Sequence, residues 1–322
     1  MRVRPPVRWA LPRRFKTSVW RDFCPPRWDG FGDAAADGAG WGGTGGTASA
    51  AVASTAPQVR QRLVELERGY PGRIGLAAFA PRTGARVDYR ATERFALAST
   101  FKVLTAAAVL RRARQQEPGL LDRLIRWEAG DVVENSPVTG QHTATGLTVA
   151  QLCEAALTHS DNTAGNLLLR QLGGPAAITA FARALGDPAT RLDRWEPELN
   201  TNIPGDPRDT TTPAAMASTL RALTFGPALA GQDRDQLVAW LVANTTGGAC
   251  IRAGLPAGWR VGDKSGAGVR GMINDVAVAW PPGAGPVVIA IYTTRTDDHA
   301  EGDNRIVADV ARLVAATLGP NA

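Results

Sequence analysis

Strand-like segments stand at both ends of this chain and helix-like segments fill its middle, and that order constrains the fold more than any other feature. Near the start, 73–80 and 85–89 flank Pro81-Arg82-Thr83-Gly84 and read as a strand hairpin. Near the end, strand patterns lie at about 259–265, 272–280 and 286–294, with the turn Pro281-Pro282-Gly283 between the last two. Between these groups the apolar spacing is helical at 100–115, 148–158, 163–171, 175–185, 213–224 and 233–243. A first amphipathic helix follows Pro57, with Val59, Leu63 and Leu66 on one face, and a last one runs from about Asp303 to Leu318. The expected fold is therefore α+β: an antiparallel sheet closed by the two chain halves, with an inserted all-helical lobe.

Residues 1–56 differ from the rest. They are rich in Arg, Pro and Trp, then in Gly, Ala and Thr, without apolar periodicity, and read as a disordered segment or a leader. Arg13-Arg14-Phe15-Lys16 resembles a twin-arginine export signal, and Ala48-Ser49-Ala50 offers a small-residue cleavage site. The apolar stretch expected between them is replaced by residues such as Arg21, Asp22, Arg27 and Asp29. One domain is expected over 57–322, its α/β part at about 57–95 and 244–322 and its helical lobe at about 96–243. The formal charge of +6 lies in the first thirty residues, where eight basic side chains face Asp22 and Asp29. A neutral body argues against a nucleic-acid partner. No apolar run is long enough to span a membrane. Three scattered cysteines and three scattered histidines suggest neither a disulfide framework nor a metal site.

Of the 36 basic residues only Lys16, Lys102 and Lys264 are lysines. An ammonium can be tuned to release its proton, whereas a guanidinium cannot. Lys102 follows Ser99 by three residues, so on a helix its amine shares a face with the hydroxyl and can act as its base. Lys264 opens Lys264-Ser265-Gly266 at a strand end, where small residues admit a substrate and the ammonium attracts a carboxylate. Ser160-Asp161-Asn162 follows the 148–158 helix: a capping sequence, or a second hydroxyl and an amide for substrate. Glu196 and Asn200 lie four apart in a long stretch without regular pattern, about 187–212, and can together hold one water. The order S-x-x-K, S-D-N, E-x-x-x-N, K-S-G at these spacings is expected by chance in well under ~1 in 10⁴ chains.

On these motifs the chain resembles the class A serine β-lactamases from about Pro57 to its end. The resemblance implies a five-stranded antiparallel sheet with flanking helices beside the helical lobe. It implies hydrolysis of the β-lactam amide of penicillin- and cephalosporin-type antibiotics through an acyl-enzyme on Ser99, and hence antibiotic resistance. Lys102, or Glu196 through a water, would take the Ser99 proton. Ser160, oriented by Lys264, would return one to the leaving nitrogen. Glu196 and Asn200 would activate the deacylating water. The backbone N–H groups of Ser99 and Ala267 would form the oxyanion hole. Asn162 and the strand through Gly266 and Ala267 would hold the substrate amide, Lys264 and Ser265 its carboxylate, and Arg194 with Asp209 would clamp the family's omega-shaped loop. No cofactor or metal is implied. A small-molecule β-lactam is the partner, and a monomer, secreted or periplasmic, is expected.

Departures from the family accompany the match. Cys250, Ile273 and Asn304 stand where an arginine usually helps bind the substrate carboxylate, and Arg252 and Arg270 are near but not equivalent. Weak inactivation by clavulanate-like inhibitors follows as an expectation. Asn135 replaces a common aromatic, and Cys153, facing Ala106 rather than a second cysteine, is expected to be a free thiol. Ala98 and Gly268 lack the cysteine bridge of some carbapenem-hydrolysing members. The rival readings are a penicillin-binding DD-peptidase, which lacks the Glu196/Asn200 loop, and a non-hydrolysing β-lactam sensor.

Overall fold

A computed structural model describes residues 46–320. In chain order its elements are α1 (Gly46–Gly69), β1 (Gly72–Phe79), β2 (Arg86–Tyr89), β3 (Phe95–Ala96), α2 (Phe101–Gln115), β4 (Leu124–Ile125), β5 (Leu147–Thr148), α3 (Val149–Thr158), α4 (Asn162–Leu172) and α5 (Pro175–Ala184). There follow β6 (Thr210–Thr211), α6 (Pro213–Thr224), α7 (Gly231–Val242), α8 (Ile251–Gly254), β7 (Arg260–Gly268), β8 (Met272–Trp280), β9 (Val287–Arg295) and α9 (Asn304–Leu318). The five long strands form one antiparallel sheet in the order β2-β1-β9-β8-β7. The first strands meet the last through β1 on β9, with Leu76 opposite Ile291 and Phe79 opposite Val288. The expected α+β architecture is the observed one.

The sheet is covered on both faces, and the period-two alternation of its strands explains how. Along β9, Val288, Ala290 and Tyr292 face the helical side, while Val287, Ile289 and Ile291 face the other. The first set joins a core built from α2 to α7; the second packs on α1, α8 and α9 through Leu63, Ile251, Val307 and Val314. Because both faces are buried, β1, β8 and β9 read as nearly continuous apolar runs, which makes them visible in the sequence. Strand β7 is one edge of the sheet and β2 the other.

Helix α1 begins at Gly46, upstream of the start expected after Pro57, which lies inside it. The Ala-rich stretch before Pro57 has high helix propensity and carries the helix back across the proline. The remainder of the leader, with Arg13-Arg14-Phe15-Lys16, lies outside the described residues. Short pieces without a periodic signature, the two-residue strands β3 to β6 and the four-residue α8, were not apparent in the sequence.

Candidate active site

Ser99 stands in a single 3-10 turn, Ala98–Thr100, immediately ahead of α2, rather than in the first turn of the α-helix itself. The turn is held from several sides. Asn274 on β8 donates its Nδ2 hydrogens to the Ala96 and Leu97 carbonyls at 2.9 and 3.3 Å. Thr100 Oγ1 donates to Leu97 O at 2.7 Å and meets Tyr292 Oη at 3.0 Å, while Leu97 N donates to Asp209 O at 2.8 Å. Ala98 sits at φ 43°, a left-handed conformation that costs an alanine about 1–3 kcal/mol. Over-determined neighbours hold it there, and Ser99 is thereby aimed at the groove between the helices and β7. Gly266 of β7 runs so close that a Cβ would lie 3.0 Å from Ser99 N.

One helical turn on, Lys102 reaches back as its spacing demands. Its fully buried Nζ lies 2.9 Å from Ser99 Oγ, 2.8 Å from Ser160 O, 2.6 Å from Asn162 Oδ1 and 3.1 Å from Glu196 Oε1. Burial pulls its pKa below that of a free lysine, and the nearby Glu196 and Asp161 charges only partly oppose this. An ammonium has three hydrogens for these four acceptors, whereas a neutral amine has a lone pair able to accept the Ser99 proton.

The Ser160-Asp161-Asn162 junction serves both readings at once. Asp161 caps α4 by accepting from Ala164 N at 2.8 Å, and its carboxylate also accepts from Val138 N, Thr139 N and Thr139 Oγ1 at 2.7–2.9 Å. Capping thus fixes the segment that includes Asn135 and closes the cleft. Ser160 at φ 56° turns its hydroxyl toward Lys264, whose Nζ donates to Ser160 Oγ at 3.0 Å and to Ser265 O at 2.7 Å. Lys264 is fully buried, and burial, together with the Lys102 charge, lowers its pKa to about 7. The charges of the buried Asp263 and Asp275 partly oppose this, and Asp263 has partners of its own: Arg252 Nε donates to its Oδ1 at 2.5 Å and Asn244 Nδ2 to its Oδ2 at 2.7 Å.

The stretch 187–212 is pinned rather than loose. Asp209 accepts from the Asp193 and Arg194 backbone N–H groups at 2.7 and 2.9 Å and from Arg194 Nε at 2.5 Å. A one-turn helix, Glu198–Asn200, brings Asn200 Nδ2 within 2.5 Å of Glu196 Oε2. The Asn200 Oδ1 atom is buried without a protein partner, beside a carboxylate whose other oxygen lies 3.5 Å from Ser99 Oγ. An acceptor pair of this kind is suited to one water molecule. Asn166, which the sequence reading missed, clamps Glu196 from both sides: its Nδ2 donates to Glu196 O and its Oδ1 accepts from Glu196 N, each at 2.9 Å. Its signal was its place on α4, four residues after Asn162 and so on the same face.

Of these groups Ser99, Ser160, Asn162, Asn200, Ser265 and Ala267 line one cavity of about 650 Å³, and Lys102, Lys264 and Glu196 are buried behind them. Cys250, Ile273 and Asn304 line it too, with Cys250 Sγ 3.5 Å from Asn304 Oδ1; among the described residues no arginine lines it. Arg252 is turned to Asp263 and the Leu241 and Val242 carbonyls, and Arg270 to Asp298 and the Thr296 carbonyl. Thr246, another residue the sequence reading passed over, meets Ser265 Oγ at 2.7 Å and forms a hydroxyl pair at that end. Burial keeps the Cys250 thiol protonated, its pKa pushed up to about 12, and Cys153 is a buried free thiol as expected.

Comparison with known proteins agrees with this geometry. The profile of the β-lactamase enzyme family matches residues 58–318. Over 277 residues the chain is 51% identical to β-lactamase AST-1 of Nocardia asteroides, covering 86% of this chain and 89% of that one. It is 50% identical over 267 residues to the carbapenem-hydrolysing β-lactamase KPC of Klebsiella oxytoca, covering 82% and 90%. The crystal structure of a β-lactamase from Streptosporangium roseum superposes with a TM-score of 0.80 at 52% identity, over 82% of this chain and 99% of that one. An ancestral class A β-lactamase superposes with 0.78 at 56%, over 81% and 100%. With a serine, two buried lysines and a clamped glutamate around one cleft, the chain belongs to the β-lactamase enzyme family, as a class A serine β-lactamase.

Proposed function

We propose that Ser99 is the nucleophile and that Glu196, held between Lys102, Asn166 and Asn200, is the base that releases the product. The enzyme hydrolyses the β-lactam amide bond, and the Glu196–Asn200 pair is the observation that carries its assignment as a hydrolase rather than a one-turnover acceptor. In acylation Lys102, in its deprotonated form, takes the Ser99 proton across 2.9 Å while Oγ bonds to the lactam carbonyl carbon. The Ser99 and Ala267 N–H groups stabilise the oxyanion, a contribution of about 3 kcal/mol per donor in comparable sites. The C–N bond then breaks, and Ser160 protonates the nitrogen and is reprotonated from the lysine pair, supported by its 3.0 Å contact with Lys264. In deacylation Glu196 takes a proton from a water oriented by Asn200, the water oxygen attacks the ester carbon, and Ser99 leaves with a proton returned through Lys102.

Asn162 and the edge strand through Gly266 and Ala267 hold the substrate's amide, and Lys264, Ser265 and Thr246 its carboxylate without a guanidinium. Arg194 and Asp209 keep the loop in place. Residues 57–322 act as one catalytic unit, monomeric and exported, with the segment ahead of them as leader; the family match beginning at residue 58 supports that boundary. Counting chromogenic cephalosporin molecules hydrolysed per enzyme tests the reading: many turnovers support it, and one equivalent followed by arrest would return the protein to the DD-peptidase or sensor class.

A further inference from the structure

The loop that carries Glu196 is tied to the substrate strand by one side chain absent from every motif above. Asn202 stands two residues beyond Asn200 at φ 45°, a conformation asparagine tolerates better than most residues. Both hydrogens of its amide are engaged: Nδ2 donates to Val269 O at 3.2 Å and to Thr294 Oγ1 at 2.8 Å. Val269 opens the turn from β7 to β8, and Thr294 lies near the end of β9. From the other direction Val269 N donates to Asn200 O at 3.2 Å. The two walls of the cleft are therefore stitched twice, once through backbone and once through Asn202. The turn itself is fixed, since Arg295 N donates to Arg270 O at 2.8 Å and Arg270 Nη2 to Thr296 O at 2.5 Å. Packing leaves no slack: a Cβ on Gly268 would lie 2.9 Å from Asn200 O and 3.3 Å from Asn200 Cβ.

Glu196 and Asn200 are not held alike. Glu196 is clamped by Asn166, independently of β7, whereas the stitches to β7 and β9 lie at Asn200 and beyond. We propose that Asn202 is a positioning residue for deacylation: it fixes Asn200 Oδ1, and with it the attacking water, relative to an acyl group lying along β7. Acylation depends on Ser99 and Lys102, which α2 and its preceding turn hold without help from Asn202.

This inference rests on the hydrolase reading, and the test separates the two. Asn202→Gly removes the amide and relieves the backbone, while Asn202→Asp tolerates the same φ but replaces the donor nitrogen by an acceptor oxygen that faces the Val269 carbonyl. Acylation and deacylation rates are measured with a penicillin by rapid mixing, the acyl-enzyme fraction is followed by intact-protein mass spectrometry, and thermal midpoints are recorded alongside. In both variants acylation is expected to stay within about twofold while deacylation slows about tenfold, so that kcat and KM fall together and acyl-enzyme accumulates. Wild-type deacylation in either variant overturns the proposal, as does an equal loss in both steps, the mark of a merely structural role. A wild type that acylates once and stops would fell the hydrolase reading and this inference with it; a wild type that turns over, with variants that match it, fells the inference alone.

Discussion

Two buried lysines lie behind the cleft beside a buried glutamate, and the charge the lysines carry decides what the enzyme does at a given pH. Lys264 has its pKa depressed to about 7, so in the free enzyme it is charged below that pH and neutral above it. Attraction for a substrate carboxylate is thus present at lower pH and lost as pH rises through about 7. The expected outcome is a kcat/KM that declines above about pH 7 for carboxylate-bearing β-lactams, with the kcat limb displaced upward because bound carboxylate favours the ammonium. Lys264→Arg, whose guanidinium does not titrate in this range, should lose that limb. A flat kcat/KM from about pH 6 to about pH 9 in the wild type would contradict the assignment. The site was legible at this scale because of scarcity: in a chain of arginines, Lys102 and Lys264 stood out. Asp263 and Asp275, whose charges act on Lys264, were not legible, since Asp263 is turned to Arg252 and Asn244 and Asp275 to the Ile251 N–H, and nothing in their spacing announces those partners. At the carboxylate end, the loss of arginine from the lining predicts slow inactivation by clavulanate-like compounds, and inhibition kinetics of ordinary efficiency would refute it.

Among the elements, the loop around Glu196 shows what sequence reading reaches and where it stops. Its existence and its Glu196–Asn200 pair follow from residue types and spacing, and its Arg194–Asp209 pair from the family resemblance. Its shape depends on residues such as Asp209 at φ 55° and Asn202 at φ 45°, a left-handed conformation that Asp and Asn tolerate without requiring it, and which partners distant in sequence select here. Local propensity therefore could not announce them. Asp209 is almost fully buried and neutralises Arg194, so Asp209→Ala should cost about 3 kcal/mol by stranding that charge. A lower denaturant midpoint at unchanged slope checks this, and an unchanged midpoint would refute it. On β7, Gly266→Ala places a methyl group 3.0 Å from Ser99 N and is expected to abolish most acylation while leaving the fold intact by circular dichroism. Retained acylation would mean that the turn can yield.

Taken whole, the molecule is a sheet buried on both faces whose middle strands come from opposite ends of the chain. Its β1–β9 pairing brings residues more than two hundred positions apart into register, and the helical lobe is inserted between them. That architecture was readable because the strand-like runs toward the two ends of the chain had only each other to pair with. Its cleft was not, because a cleft is a property of how the turn at Ala98, the α3–α4 junction and the edge of β7 converge. Since the family match starts at residue 58 and the sheet at Gly72, removing residues 1–45 should leave turnover within about twofold, and a collapse of activity would show the leader to be part of the enzyme. The central claim is that an ester on Ser99 is formed by one set of groups and released by Glu196. Intact-protein and peptide mass spectrometry of Glu196→Ala mixed with a penicillin tests it most directly: one adduct, mapped to Ser99 and persisting for many wild-type turnover times, is the result predicted. A Glu196→Ala enzyme that clears its adduct at the wild-type rate, or an adduct on another residue, would contradict the account.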